Sequence, residues 1–243
     1  SHEYFHTWNV KRLRPAEFKR YDYDRENHTE LLWFFEGFTS YYDDLLLRRA
    51  KRIDNAAYLK LLSKTINQVQ QTPGRLVQSV AQSSFDNWIS LGGDHADNFS
   101  VNIYSEGYLV SWLLDHHLLS QSGLKASYRT IHQELYQRFG KTTAFTANDV
   151  QQIAEQLTGK SLHAWWQDHV ETPPQIDGDK LLAAAGLERV LVKEQLAWLG
   201  ITSNHQHGTD KISKVERNSP AWVAGMTIDD EIVVVAFAVF DGG

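Results

Sequence analysis

The sequence predicts a mainly α-helical protein that ends in a smaller, β-rich segment. Apolar residues recur at helical spacing over most of residues 1–175, and Thr172-Pro173-Pro174 stops this pattern. From Leu191 onward, short runs rich in Ile and Val indicate β-strands. We therefore divide the chain into a helical lobe (1–175), a linker (176–190) and a β-rich segment (191–243).

The helices are predicted from apolar periodicity and from the residues that begin and end them. Pro15 marks the end of the first helix, Pro73-Gly74 breaks a later one, and Gly140 follows another in the usual position just past a helix. Residues 90–100 contain Gly92-Gly93 and are predicted to form a loop. After a first helix at residues 2–6, the predicted helical stretches are 29–49, 55–71, 75–88, 104–119, 126–139, 150–157 and a short turn around Trp165-Trp166.

Composition limits the classes of partner and of metal site. The net charge is −6 and Lys11, Arg12 and Arg14 form only a short basic patch, so nucleic acid is not an expected partner. The chain has no cysteine, which excludes disulfides and thiolate ligands, so a zinc site would have to use histidine and carboxylate. No apolar run approaches the roughly 20 residues that cross a bilayer. The cellular compartment stays open.

The first helix contains the pattern His2-Glu3-Tyr4-Phe5-His6. Residues four apart share one helix face, so both imidazoles can point at one metal ion while Glu3 flanks the same point. Two histidine nitrogens suit zinc, and Glu3 could take a proton from a water molecule as general base. The alternative is a solvated helix start with two surface histidines.

Glu36 is the candidate for the third ligand. It lies inside a strongly apolar helical stretch, between Phe35 and Phe38, where a carboxylate is costly unless it is paired or bound to a metal. The alternative is a place on the polar stripe of an amphipathic helix. Thr39 and Ser40 follow one helical turn later, and either hydroxyl could orient a ligand or simply face its own helix.

These motifs resemble the glycyl aminopeptidase family of PDZ-bearing gluzincin zinc peptidases. The pattern HxWNVKRLRP at residues 6–15 and the block WFxEGxTSYY at residues 33–42 are more particular than the zinc motif itself. Further similarity covers residues 73–89, 104–115 and 219–233, in the family's order. The resemblance implies the helical C-terminal lobe of a thermolysin-like catalytic domain, followed by a partial PDZ-like segment at residues 191–243.

The resemblance also assigns a role to Tyr104. The run Tyr104-Ser105-Glu106-Gly107 is similar to the family's YxKG-type element, whose tyrosine hydrogen-bonds the oxyanion of the reaction. Glu106 stands where lysine is commoner, and a core tyrosine at a helix start is the alternative. Asn9 and Trp8, just after the zinc motif, could line the cleft, although packing explains Trp8 equally well.

The PDZ-like segment is expected to be incomplete. Ser219-Pro220-Ala221 predicts a short helix closed by Gly225, and Trp198-Leu199-Gly200-Ile201 stands where the family's carboxylate-binding loop would be. The final run VVVAFAVFDGG lacks the expected turn. Its predicted partner is a peptide C-terminus or the rest of a longer parent chain.

Together these observations predict a zinc-dependent aminopeptidase. His2, His6 and Glu36 would hold Zn²⁺, Glu3 would activate water and Tyr104 would stabilise the oxyanion. The resemblance implies peptide substrates with small N-terminal residues such as Gly or Ala. It also implies that the chain is the C-terminal part of a longer protein and, alone, has little or no activity.

Two alternatives are weighed against this prediction. One is a non-catalytic peptide-binding or scaffolding module that uses the PDZ-like segment. Another is a different zinc hydrolase on the same helical frame. A second metal site is not expected, because His116-His117 are adjacent on a helix and point apart, and His205 and His207 lie in a polar loop without a neighbouring carboxylate.

Overall fold

The computed structural model describes residues 1–89, 96–141, 143–174, 176, 178–190, 198–206 and 208–233. The chain forms two compact units. The helical unit comprises Ser1–Ser90 and Phe99–Arg189, and the smaller unit comprises Leu91–Asn98 and Val190–Gly243. The boundaries drawn from the sequence, 1–175, 176–190 and 191–243, stay a prediction.

The described residues are mainly helical, as predicted. None of the helices within these ranges combines the length and apolar character needed to span a bilayer. The α-helices are α1 (His2–Phe5), α2 (Leu32–Arg49), α3 (Asn55–Gln71), α4 (Val80–Phe85), α5 (Ala96–Phe99), α6 (Ser105–Ser122), α7 (Tyr128–Phe139), α8 (Ala147–Thr158), α9 (His163–Trp166), α10 (Gly178–Ala184) and α11 (Pro220–Val223). Short 3₁₀ turns occur at Ala16–Phe18, Pro73–Leu76 and Asp86–Ile89, and a π-helical turn at Gln167–Glu171.

Local capping explains where the predicted helices begin. The Asp54 side chain accepts a hydrogen bond from the Ala57 backbone N–H at 2.8 Å, which starts α3 at the predicted residue. The single helix predicted over residues 75–88 is wrong. Ser79 forms a capping box with Gln82 and starts a new helix there, which separates α4 from the 3₁₀ turn before it. The loop predicted over residues 90–100 is also wrong in part, since α5 lies within it; Gly92-Gly93 lie outside the described residues.

Gly140 ends α7 for a different reason from the one predicted. Its φ is −70°, in the right-handed region rather than the left-handed one usual for a terminal glycine. A Cβ at this position would lie 2.5 Å from the Tyr136 carbonyl oxygen. Lack of space, rather than backbone conformation, therefore requires glycine here.

The core of the helical unit is built around the crossing of α2 and α6. Trp33, Phe34, Phe35 and Phe38 on α2 are almost completely buried. A Cβ on Gly37 would lie 2.3 Å from the Gly107 backbone carbon, so the two helices meet through their glycines. This close approach fixes α2, and with it Glu36, one residue before the crossing.

The smaller unit contains a three-stranded antiparallel sheet in the order β1-β2-β3, with β1 at Ile201–Gln206, β2 at Thr209–Val215 and β3 at Glu231–Ile232. Ile212, Val215 and Ala221 form its buried cluster. The predicted short helix is confirmed as α11, with the Ser219 hydroxyl accepting from the Trp222 backbone N–H at 3.1 Å. Residues 191–197 and 234–243, including most of the final apolar run, lie outside the described residues.

Candidate metal centre

Three predicted ligand side chains converge on one point between α1 and α2. His2 Nε2 lies 3.1 Å from His6 Nε2, and each of these nitrogens lies 3.3 Å from Glu36 Oε2. Each of the three side chains is partly buried. Two imidazole nitrogens and one carboxylate oxygen thus face a common point at which a metal ion could bind.

The spacing of these donors fits zinc. Three ligands at about 2.0–2.1 Å in a tetrahedral arrangement place their donor atoms about 3.3 Å from one another. The observed separations of 3.1–3.3 Å match this requirement. Within the described ranges, this group is the one in which three such side chains offer donors that all lie within 4.8 Å of each other.

Packing, rather than helix propensity, holds α1 in place. The helix is a single turn, and a segment of this length is not stable alone. The Phe5 ring contacts Phe38 and Tyr42 of α2, with ring centroids 5.7 and 5.5 Å apart. These contacts anchor the face of α1 that carries Phe5 while His2 and His6 face Glu36.

Backbone and buried amide groups orient His6. Its Nδ1 lies 2.9 Å from the Asn9 carbonyl oxygen, so Nδ1–H donates there and Nε2 keeps its lone pair for a metal. The Asn9 side chain is completely buried and donates to the Phe35 carbonyl at 3.3 Å and to the Thr39 hydroxyl at 3.1 Å. Asn9 therefore joins the end of α1 to α2. The suggestion from the sequence that Asn9 lines a cleft is wrong.

His132 completes this buried network from α7. Its Nε2 lies 3.1 Å from Asn9 Oδ1 and donates to it. Burial lowers the pKa of His132 to about 3, so its imidazole is neutral at ordinary pH. Sequence reasoning missed His132, because it lies 123 residues from Asn9 and no motif surrounds it.

The hydroxyls after Glu36 bond to their own helix. Thr39 Oγ1 donates to the Phe35 carbonyl at 2.5 Å and Ser40 Oγ donates to the Glu36 carbonyl at 2.9 Å. Thr39 also accepts from Asn9, so it supports His6 indirectly. Ser40 has the ordinary helix-facing role that the sequence left open.

Tyr104 and Glu3 lie beside the three donors. Tyr104 precedes α6, is 45 % exposed, and has its ring centroid 6.1 Å from that of His2. Partial burial raises the pKa of Tyr104, and the charges of Glu36 and Glu3 and a hydrogen bond with Glu36 raise it further. Glu3 is exposed to solvent. The structure thus brings all five predicted site residues into one neighbourhood.

Glu106, two residues after Tyr104, is in a contrasting environment. Its side chain is buried and its Oε1 has no hydrogen-bond partner among the described residues. Burial raises the pKa of Glu106 to about 7, with the charge of Arg75 acting in the opposite direction. The sequence marked this residue only as a departure from a family pattern.

One expectation about the other histidines is wrong. His205 has a neighbouring carboxylate, since its Nδ1 lies 2.8 Å from Asp210 Oδ1 across the β1–β2 pair. The pairing arises because the strands are antiparallel, which the sequence reading of this segment as a polar loop did not anticipate. His207 lies outside the described residues.

Comparison with known protein families finds a match to the first part of the chain. The M61 glycyl aminopeptidase family matches residues 1–110, a range that includes His2, Glu3, His6, Glu36 and Tyr104. Over this range the chain is similar to the glycyl aminopeptidase family. The resemblance inferred from the sequence is therefore confirmed.

A solved structure from Idiomarina loihiensis, described as an aminopeptidase N family protein, is similar to nearly the whole chain. It is 32 % identical, with a TM-score of 0.84, over 96 % of this chain and 43 % of that one. The chain thus spans less than half the length of this structural relative. No curated protein matches the chain.

Proposed function

We propose that this chain carries the zinc centre of a metallo-aminopeptidase that acts on peptides with small N-terminal residues such as Gly or Ala. The observation that carries the proposal is the convergence of His2 Nε2, His6 Nε2 and Glu36 Oε2 at 3.1–3.3 Å. The match of residues 1–110 to a peptidase family supports hydrolysis of peptides. The preference for small residues rests on the family resemblance alone.

In this proposal His2, His6 and Glu36 hold Zn²⁺. The hydrogen bond from His6 Nδ1 to the Asn9 carbonyl keeps the metal-facing nitrogen of His6 unprotonated. When bound, zinc supplies a Lewis acid that polarises the scissile carbonyl and acidifies a water molecule.

Glu3 and Tyr104 provide the proton and hydrogen-bond chemistry. The Glu3 carboxylate, one residue from His2 and open to solvent, accepts the proton of the attacking water as general base. The Tyr104 hydroxyl donates a hydrogen bond to the negative charge that develops on the carbonyl oxygen. Its position beside the rings of α1 supports this role.

We further propose that the helical unit is the C-terminal lobe of a thermolysin-like domain and that the smaller unit is PDZ-like. In the smaller unit, Gly200 has a φ of +75°, and a Cβ there would lie 2.1 Å from Ser219 Cβ. Trp198 and Leu199, just before it, are exposed. This loop is the proposed receptor for the carboxylate of a peptide C-terminus.

The test combines metal content with turnover in the natural full-length polypeptide. Glu3→Gln should keep about one zinc per chain yet lose hydrolysis of Gly- and Ala-p-nitroanilide, because an amide cannot accept the proton. Glu26→Gln, at an exposed position outside the site, is the matched control and should leave both unchanged.

Wild-type turnover in Glu3→Gln would contradict the role of Glu3. A wild-type protein that binds peptides, but does not bind zinc and does not hydrolyse the peptides, would instead support the scaffolding alternative. A zinc-loaded protein without peptidase activity would favour another zinc hydrolase.

A further inference from the structure

A pocket on the helical unit is lined by cationic side chains. Its volume is about 500 Å³, within the range of about 300–1,000 Å³ typical of small-molecule sites. No acidic side chain from the described residues lines it. Two threonines, Thr7 and Thr143, add hydroxyl groups to its wall. The five cations are Lys11, Arg12, Arg14, Lys19 and Lys141.

These cations lack carboxylate partners. Over the part of the chain that the structure describes, none of the five has an Asp or Glu oxygen within 4.0 Å, whereas Arg25, Arg138, Arg189 and Lys214 each form an ion pair. Arg14 instead lies over the Tyr21 ring, 5.3 Å from its centroid. In a chain of net charge −6, five unpaired cations around one pocket leave their charge available to an anion.

Backbone pairing assembles the pocket from distant segments. The Phe145 N–H donates to the Arg14 carbonyl at 3.1 Å and the Ala16 N–H donates to the Phe145 carbonyl at 2.8 Å. This bridge brings Lys141 beside the basic run that follows α1. The sequence therefore showed only a short basic patch, because Lys19 and Lys141 join it through the fold.

A strained turn presents the first cations. Val10 has a φ of 122°, a strained conformation that is rare for a β-branched residue. Its N–H donates to the Leu13 carbonyl at 3.1 Å, and the Leu13 side chain is completely buried. The turn thus holds Lys11 and Arg12 at the surface, where both line the pocket.

The helix dipole accounts for the position of only one of the five cations. Lys141 follows α7 closely, where the negative end of the helix dipole favours a positive charge. Lys11, Arg12, Arg14 and Lys19 lie between α1 and α2, so this reason does not apply to them.

We propose that this pocket binds a small polyanion of the oligophosphate class. Arginine matches phosphate oxygens with its planar fork, lysine adds point charges, and the threonine hydroxyls can donate further hydrogen bonds. A concave site suits a compact ligand, whereas nucleic acid requires a longer basic surface and would be repelled by the acidic remainder of the chain. The inference is independent of the proposed zinc chemistry.

Calorimetric titration of the full 243-residue chain with sodium tripolyphosphate tests the proposal at near-physiological ionic strength. The wild type should bind about one tripolyphosphate per chain. The double variant Lys11→Gln/Arg12→Gln should bind it about tenfold more weakly or worse, because two charge-assisted contacts are lost. Lys60→Gln/Lys64→Gln, which removes the same charge from exposed positions on α3, should stay within about twofold of the wild type.

Two further measurements make the result specific. Zinc content is determined before and after titration, so that chelation of metal by the phosphate is recognised, and thermal unfolding confirms that each variant is folded. A parallel titration with adenosine triphosphate distinguishes a nucleotide source from free oligophosphate, and tight binding of either supports the proposal. Absence of saturable binding would overturn it. Equal weakening in both double variants, or binding of citrate or a polyglutamate peptide in preference to tripolyphosphate, would also overturn it.

Discussion

Glu36 and Glu106 occupy matching places on two crossing helices but have opposite environments. Each stands one residue before a glycine of the α2–α6 crossing, Gly37 or Gly107. Glu36 is partly exposed and has an oxygen 3.3 Å from each of two imidazole nitrogens. Glu106 is buried and keeps one oxygen without a partner in the described structure. The same local sequence, Glu-Gly in an apolar helix, therefore places one carboxylate beside two imidazoles and leaves the other as a buried acid.

The difference shows that partners, rather than the carboxylate itself, set the role of a buried acid. A carboxylate among apolar residues is costly in either position. At Glu36 the cost is offset by α1, which brings two histidines and leaves space for a cation. At Glu106 the buried group instead holds its proton more tightly, with a pKa near 7.

The largest expected effect is the loss of zinc affinity on substitution of Glu36, compared with the same substitution of Glu106. Glu36→Gln should weaken zinc binding about a thousandfold, more than the 10–100-fold that follows loss of a group supporting a ligand. Glu106→Gln, the same chemical change across the crossing, should leave zinc affinity within a few-fold. Competition with a fluorescent zinc chelator measures both. Similar losses in the two variants would mean that the two environments do not differ as described.

The next largest effect is the loss of stability expected when a glycine of the α2–α6 crossing is substituted. Gly37→Ala should lower the free energy of unfolding by about 3 kcal/mol, because its Cβ would lie 2.3 Å from backbone atoms. Gly107→Ala should be milder, since its nearest contacts are 3.0 Å away. Urea unfolding of both variants gives the comparison, and an unchanged midpoint for Gly37→Ala would refute the close approach.

Stability should respond to pH through Glu106. Its pKa is near 7 in the folded protein and about 4.5 when unfolded. Below about pH 4.5 Glu106 is protonated in both the folded and the unfolded state, so its ionisation does not affect stability. Between about pH 4.5 and 7 Glu106 loses its proton in the unfolded state alone, so the free energy of unfolding falls as pH rises. Above about pH 7 both states are ionised and the free energy of unfolding levels off. Glu106→Gln avoids this loss and should be more stable than the wild type by about 2–3 kcal/mol at pH 8, with no such gain at pH 4. A gain that is the same at both pH values would contradict the assignment.

The smallest effect concerns the network around Asn9, which orients His6 beside Glu36. Asn9→Ala should weaken zinc binding about tenfold, because the carbonyl that fixes His6 loses its anchors on α2 and α7. Ser40→Ala removes a hydroxyl that bonds only to the Glu36 carbonyl in the described structure, and should change zinc affinity little. The same chelator competition decides between them.

Local patterns predicted much of this molecule. The spacing of His2 and His6, and the apolar surroundings of Glu36, identify three side chains that the fold brings together, because helical periodicity and burial are written in short segments. Helix α3 was predicted at its observed bounds for the same reason.

The features that the sequence did not predict depend on contacts between residues far apart in the chain. The Asn9–His132 bond joins residues 123 positions apart, and Lys141 reaches the basic pocket through a single backbone bridge. Glu106 also lies in an apolar helix, as Glu36 does, and only the fold shows that its Oε1 has no hydrogen-bond partner among the described residues.

Zinc-edge anomalous diffraction from zinc-soaked crystals of the chain tests the central claim most directly. We expect one strong peak about 2.0–2.2 Å from His2 Nε2, His6 Nε2 and Glu36 Oε2, and none beside Glu106. A zinc ion bound elsewhere, or a well-ordered Glu36 turned away from a zinc held by the two histidines, would contradict it.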